Sequence, residues 1–148
     1  MARLIKTGET PAKKRHAHMR SGAEVLRLLA QRGGFDDEAR DMTAFLVFTL
    51  RAIYQIIDES AHAWDERTYW KKAEALRETW RWARTAADRL EHLIRANRWD
   101  EVPPVLLELV PHFNGITVTT ITRDADWWCG ALRALLHQTK NTPNASSS

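Results

Sequence analysis

The amino-acid sequence predicts an all-α protein: a four- to five-helix up-down bundle with a basic N-terminal arm. Three observations carry that expectation. Apolar residues recur every three or four positions through most of the chain, the period of a helix with one buried face. Helix-start residues, among them Thr10-Pro11, Asp36-Asp37, Asp100 and Asp124, punctuate that period. Only residues 116–122 have the composition of a strand, and no second strand is there to share backbone hydrogen bonds with it.

Residues 1–10 read as an extended basic arm, 11–139 as one helical domain, and 140–148 as a polar, disordered tail. Thr10 is a helix N-cap with Pro11 in the first helical position, where its missing N–H costs nothing. The first helix is expected from Pro11 to about Gln31, with Met19, Ala23, Leu26 and Ala30 on its apolar stripe and Gly33-Gly34 ending it in a left-handed C′ conformation. Its opening stretch, Lys13 to Arg20, is too polar for a core and is expected to project or fray. The second helix starts at Asp36 or Asp37, with acids at the positive end of its dipole. Met42, Leu46, Leu50, Ile53, Ile57 and Trp64 form its seam, and Phe45, Phe48, Tyr54 and Ile56 widen it, so this helix is expected at the centre of the bundle.

Asp65-Glu66 is expected to cap a third helix over about 66–97, whose seam is Trp70, Ala73, Leu76, Trp80, Ala83, Ala87, Leu90 and Ile94. A break at Asn97-Arg98-Trp99-Asp100 precedes a fourth helix that tolerates Pro103 and Pro104 in its first turn and is kinked or ended by Pro111. The stretch Ile-Thr-Val-Thr-Thr-Ile-Thr at 116–122 has strand propensity. Lacking a partner strand, it is expected to be helical through tertiary override. A last helix, with Trp127, Trp128, Leu132, Leu135 and Leu136, is expected to end near Gln138.

The composition narrows the functional classes. Cys129 is the only cysteine, so no intramolecular disulfide can form, which suits a reducing cytoplasm. No apolar run is long enough for a transmembrane helix, so no membrane is expected as a partner, and Met1 to Arg20 lacks the apolar region of a secretory signal. The net charge of +3 is unevenly placed: residues 1–20 carry six basic side chains (Arg3, Lys6, Lys13, Lys14, Arg15, Arg20) against Glu9, whereas the other 128 residues carry 16 basic and 18 acidic ones. A positive leader on a near-neutral body suits a polyanionic partner. The same leader would also serve as a solvated segment that keeps the chain soluble.

Catalytic and metal constellations are sparse. A di-iron bundle needs two Glu-x-x-His pairs, and the chain has one, Glu59 and His62. His16 and His18, two apart on a helix, point away from each other. Cys129, beside Trp128 in an apolar stretch, reads as inert core. Asp124 and Asp126 read as a helix-start signal before they read as catalytic carboxylates. No nucleophile elbow or phosphate-cradling glycine loop occurs. A small-bundle ribonuclease of the HEPN type wants an Arg and a His with four to six residues between them, and Arg133 and His137 have only three between them, though they would still share a helix face. No cofactor and no metal are expected.

The third helix carries a different surface. Arg77, Arg81 and Arg84 share one face, and Trp82 lies off the seam that holds Trp80. Arginines beside an exposed ring suit phosphate contact with base stacking. Local pairs (Glu74 with Arg77, Glu78 with Arg81, Arg84 with Asp88) would equally make that face ordinary solvated surface. The seven tryptophans exceed what a thin bundle can bury. Trp64, Tyr69, Trp99 and Trp127, near expected helix ends, are therefore candidate interface rings for self-association or for docking to a larger partner.

Helix order, helix length and the run Leu50-Arg51-Ala52-Ile53-Tyr54-Gln55-Ile56-Ile57-Asp58-Glu59, with the long charged third helix and its break at Asn97-Arg98-Trp99, resemble the accessory proteins of diversity-generating retroelements and the related proteins encoded by ribosomal RNA intervening sequences. The similarity spans residues 40–122. It departs in the longer basic N-terminus, the tryptophan content and the segment Trp127-Trp128-Cys129-Gly130. The resemblance implies a small basic four-helix bundle that forms rings, binds nucleic acid and assists a reverse transcriptase; no functional residue is carried over from it. From the residues, the expected function is a non-enzymatic accessory protein that oligomerises and meets RNA, DNA or a nucleic-acid enzyme through Lys6, Lys13, Lys14, Arg15 and Arg20, with Arg77, Arg81 and Arg84 extending the track. A protein–protein adaptor and a small nuclease are the alternatives.

Overall fold

The computed structural model describes residues 9–67 and 69–138. The expectations for Lys6 and the rest of the arm before Glu9, and for the tail at 140–148, lie outside the described residues. The protein is all-α: α1 (Pro11–Ala30), α2 (Asp37–Asp65), α3 (Trp70–Arg95), α4 (Val102–Leu109), α5 (Ala125–Trp128) and α6 (Ala131–His137). Short 3-10 turns flank α4 at Trp99–Glu101 and Val110–Phe113. Among the described residues there is no strand.

As its wide apolar face requires, α2 is the central rod, packed against α1, α3, α5 and α6. Met42, Leu46, Leu50, Ile53 and Ile57 are each at most 1% exposed, and full burial of such a side chain is worth about 1.5–3 kcal/mol. Thr43 and Thr49, buried on the same helix, return their hydroxyls to the carbonyls of Ala39 (2.8 Å) and Phe45 (2.9 Å), so neither leaves an unpaired donor. On α3, Ala73, Ala83, Ala87 and Leu90 are fully buried, as their spacing predicts. Trp70, assigned to that seam by spacing, is 62% exposed because it opens the helix at the turn of the α2–α3 hairpin.

The local caps follow the sequence. Thr10 Oγ1 accepts from the Lys13 N–H (3.1 Å), Asp36 Oδ1 from Ala39 (2.9 Å), and Asp124 Oδ1 from Asp126 (3.1 Å). Other boundaries differ. The helix expected to begin at Asp65-Glu66 begins at Trp70. Asp65 instead closes α2, and Tyr69 N–H bonds back to Trp64 O (2.9 Å) as the chain reverses. The α1 terminus needs no left-handed glycine: Gln31 N–H bonds Leu28 O (3.2 Å) from a right-handed conformation, and Gly33-Gly34 lie in the loop beyond. Among the described residues the left-handed ones are Asn97 (φ 59°), which ends α3, and Gly130 (φ 83°). At Gly130 the expected single last helix is split into α5 and α6, because the sharp reversal there suits a residue without Cβ. The start of α6 is held by Asp41 of α2, whose carboxylate accepts from the N–H groups of Gly130 (3.3 Å) and Leu132 (2.9 Å).

Residues 116–122 are not helical. They run extended along α1 with a bend at Thr119-Thr120. The tertiary override expected to make them a helix acts in another way: side chains of α1 supply the hydrogen bonds a partner strand would have supplied. Arg20 donates to Thr120 O (2.7 Å) and Thr117 O (3.3 Å), and Arg27 donates to Val118 O (2.6 Å). Glu24 Oε1 accepts from the backbone N–H groups of Thr122 (2.7 Å) and Arg123 (2.8 Å). Glu24 is fully buried; its other oxygen takes Arg20 Nε (2.5 Å) and Thr122 Oγ1 (2.7 Å). The leading half of α1 therefore does not fray. Met19 is buried, and α1 lies so close to the Val110–Phe113 turn that a Cβ on Gly22 would meet the Phe113 ring at 2.7 Å.

Candidate nucleic-acid interface

The cations named from the sequence fall into two groups. Lys13 and Lys14 are exposed on the first turn of α1, and neither makes an ion pair among the described residues. Arg15, half-buried, lays its guanidinium 5.2 Å from the centroid of the Trp80 ring. Arg20 is in the second group, since its charge is spent on Glu24 and on the extended segment.

On α3 the expected positive track is largely compensated. Arg77 is 19% exposed at its side chain and bonds Asp58 (3.0 Å) and Asp65 (2.9 Å) of α2 as well as Glu74 (3.5 Å). The hydrogen bonds it donates to Asp65 and then Asp58 hold its pKa well above the ordinary arginine value. Arg81 bonds Glu78 (3.0 Å), which raises its pKa in the same way, and lies 3.8 Å from Glu74. Arg84 does not pair with Asp88, which Arg51 takes at 2.9 Å; it sits 5.8 Å from the Tyr54 ring centroid. Arg51 and Arg95 also bracket Glu91; burial opposes ionisation of that carboxyl, and the two arginines nevertheless hold its pKa below the usual range. Arg77 and Arg81 are thus structural cations, and Lys13, Lys14, Arg15 and Arg84 are the ones with no acid partner among the described residues.

The aromatic residues divide as well. Trp99 is 8% exposed and belongs to the core, with its indole N–H on Asn97 Oδ1 (3.0 Å), Phe35 beside it and the Arg40 guanidinium over its ring. Its position at a helix break makes it a candidate interface ring by sequence. The fold instead closes α2 and α4 over it, which the local sequence does not show. Tyr69 (56% exposed) and Trp70 (62%) project from the hairpin turn, with Trp64 half-buried beneath Lys72. Trp127 (49% exposed) lies under Arg123 and edge-on to Phe45. Trp80 and Trp82 form a third group beside α1. Their centroids are 5.8 Å apart, and Trp82 stacks on His112 at 4.1 Å and 9°.

No protein family, curated protein or solved structure matches this chain.

Among the described residues, no group of three or more His, Cys, Asp or Glu side chains is placed to hold a metal ion. His62 is engaged with Glu66 (3.2 Å) and Glu59 with Gln55 (2.9 Å). Cys129 is exposed, not the core thiol its neighbours suggested, because the Gly130 reversal turns it outward. Arg133 and His137 line a cleft of about 510 Å³ with Asp37 and Asp41, where the Asp41 carboxylate is committed to capping α6. No described helix is long and apolar enough to cross a membrane.

Two features escape sequence reasoning. The Glu24 clasp joins residues about a hundred positions apart. The stack of Trp82 on His112 joins α3 to the turn after α4. The one available signal is Glu24 itself, a charge on the stripe side of a helix between Ala23 and Val25.

Proposed function

We propose that this chain is a non-enzymatic accessory protein that self-associates and binds RNA, DNA or an enzyme that acts on them, using the leading half of α1 and the arm before it. The observation that carries this reading is the segregation of compensated from uncompensated charge. Arg77 and Arg81 of α3 are tied to acids, whereas Lys13 and Lys14 face solvent with no acid partner among the described residues, as does Arg84. Phosphates are drawn to cations that no carboxylate already satisfies, and their neutralisation releases counterions. The resemblance to retroelement accessory proteins supports the same partner class, a reverse transcriptase included.

The test is a binding isotherm against salt. Three phosphates neutralised by Lys13, Lys14 and Arg15 give a log–log slope of about −2 on a single strand, a loss of about twentyfold between roughly 50 and 200 mM salt. Changing these three and Lys6 together to Gln should abolish that dependence. Absent binding at low salt, or binding that salt does not move, refutes the proposal.

A second reading, a protein–protein adaptor, is favoured by a separate observation. Leu107 (72% exposed) and Val110 (47%) border an apolar groove of about 340 Å³ between α1 and α4.

A further inference from the structure

We propose that the Trp82–His112 column beside α1 is a base-stacking site that makes this chain prefer single-stranded nucleic acid to duplex. The inference rests on the nucleic-acid reading above and adds the substrate class and the place where bases are held.

Successive planar groups run from the basic helix across the surface: the Arg15 guanidinium 5.2 Å from Trp80, Trp80 5.8 Å from Trp82, and Trp82 4.1 Å from His112. The last pair is parallel to within 9°, with Phe113 edge-on to Trp82 at 5.7 Å and locking it from the side. The column ends in an exposed imidazole, the place where one more flat ring would continue it. Trp80 and Trp82 are themselves only half-buried.

The surroundings suit a polyanion. Lys13 and Lys14 stand on the same helix as Arg15 with no acid partner among the described residues, and Glu108, the carboxylate beside the column, is neutralised by Arg89 (2.7 Å). A notch of about 130 Å³ between Trp82, Arg89, Glu108 and His112 adjoins the stack. Cations beside stacked rings form the pattern that holds unpaired bases while following their phosphates. A duplex offers base edges and phosphates but keeps its base faces covered by their neighbours, so it can use the cations and not the rings.

The test compares fluorescence anisotropy of a labelled oligothymidylate and a duplex of the same length at low salt, for the wild type, His112→Ala and His112→Phe. His112 is exposed, so these changes leave the core intact. The wild type should bind the single strand more tightly. His112→Ala should weaken single-strand binding about five- to hundredfold, the span of one lost base stack, and leave duplex binding unchanged. His112→Phe, which keeps a flat ring, should restore it. Equal loss on both ligands, or no loss on either, overturns the stacking site while leaving the electrostatic reading intact. Absence of binding to both ligands by the wild type overturns both.

Discussion

Replacing Glu24 with glutamine (Glu24→Gln) removes one charge and one acceptor and leaves the shape of the side chain unchanged, and the structure says what that should cost. The carboxylate is fully buried and accepts from Arg20 Nε, Thr122 Oγ1 and the backbone N–H groups of Thr122 and Arg123 at 2.5–2.8 Å. Burial alone would raise its pKa; the hydrogen bonds from Arg123, Arg20 and Thr122 overcome that and hold it down to about 2 against an ordinary 4.5. At about 1.4 kcal/mol per pKa unit, the ionised form contributes about 3 kcal/mol. Because the folded pKa lies below the unfolded one, that contribution is complete above pH 4.5 and is lost as the pH falls toward 2. The carboxamide of the variant could still accept from the two backbone N–H groups, but its NH₂ would face the Arg20 guanidinium with a donor against a donor. At pH 7 the variant should therefore melt about 6–12 °C lower in a circular dichroism scan. Between pH 5 and 2 the wild type should lose its advantage, and the two melting temperatures should converge. Equal melting temperatures at pH 7, or a gap that does not narrow with acid, would refute the clasp.

Two further outcomes follow. Arg77→Ala should lower the melting temperature, because Asp58 and Asp65 lose their shared partner, while the salt dependence of nucleic-acid binding stays as in the wild type; a shallower slope would return Arg77 to the binding surface. Tyr69→Ser with Trp70→Ser should leave melting nearly unchanged, since both rings are more than half exposed, and should lower the mass seen by light scattering at tens of micromolar. An unchanged mass would take the hairpin turn out of self-association.

Features decided within one or two turns of the chain are legible in the sequence. Thr10, Asp36 and Asp124 cap helices because their oxygens reach N–H groups two or three residues ahead, whatever the rest of the molecule does. The α2 seam is legible because helical period alone puts Met42, Leu46, Leu50 and Ile53 on one stripe. The boundary at Asp65 misleads because an acid near a helix break serves as well to close α2 and meet Arg77 as to open α3. Residues 116–122 mislead for a related reason. They do lack a partner strand, but Arg20, Glu24 and Arg27 satisfy their backbone from a helix, an arrangement with no sequence period. For the candidate interface, the positive character of Lys13, Lys14 and Arg15 is visible in composition, whereas the compensation of Arg77 depends on acids on another helix.

By itself, then, the sequence determined the long rods: that α1, α2 and α3 wind into helices, which stripe of each is apolar, and where α1 and α2 start, since these depend on neighbours three or four residues away. The tertiary structure decided which charges remain free and which rings remain open. A cation keeps its field only if no distant carboxylate reaches it, and a tryptophan stays at the surface only if no other helix closes over it. Both conditions are set by contacts between residues tens of positions apart.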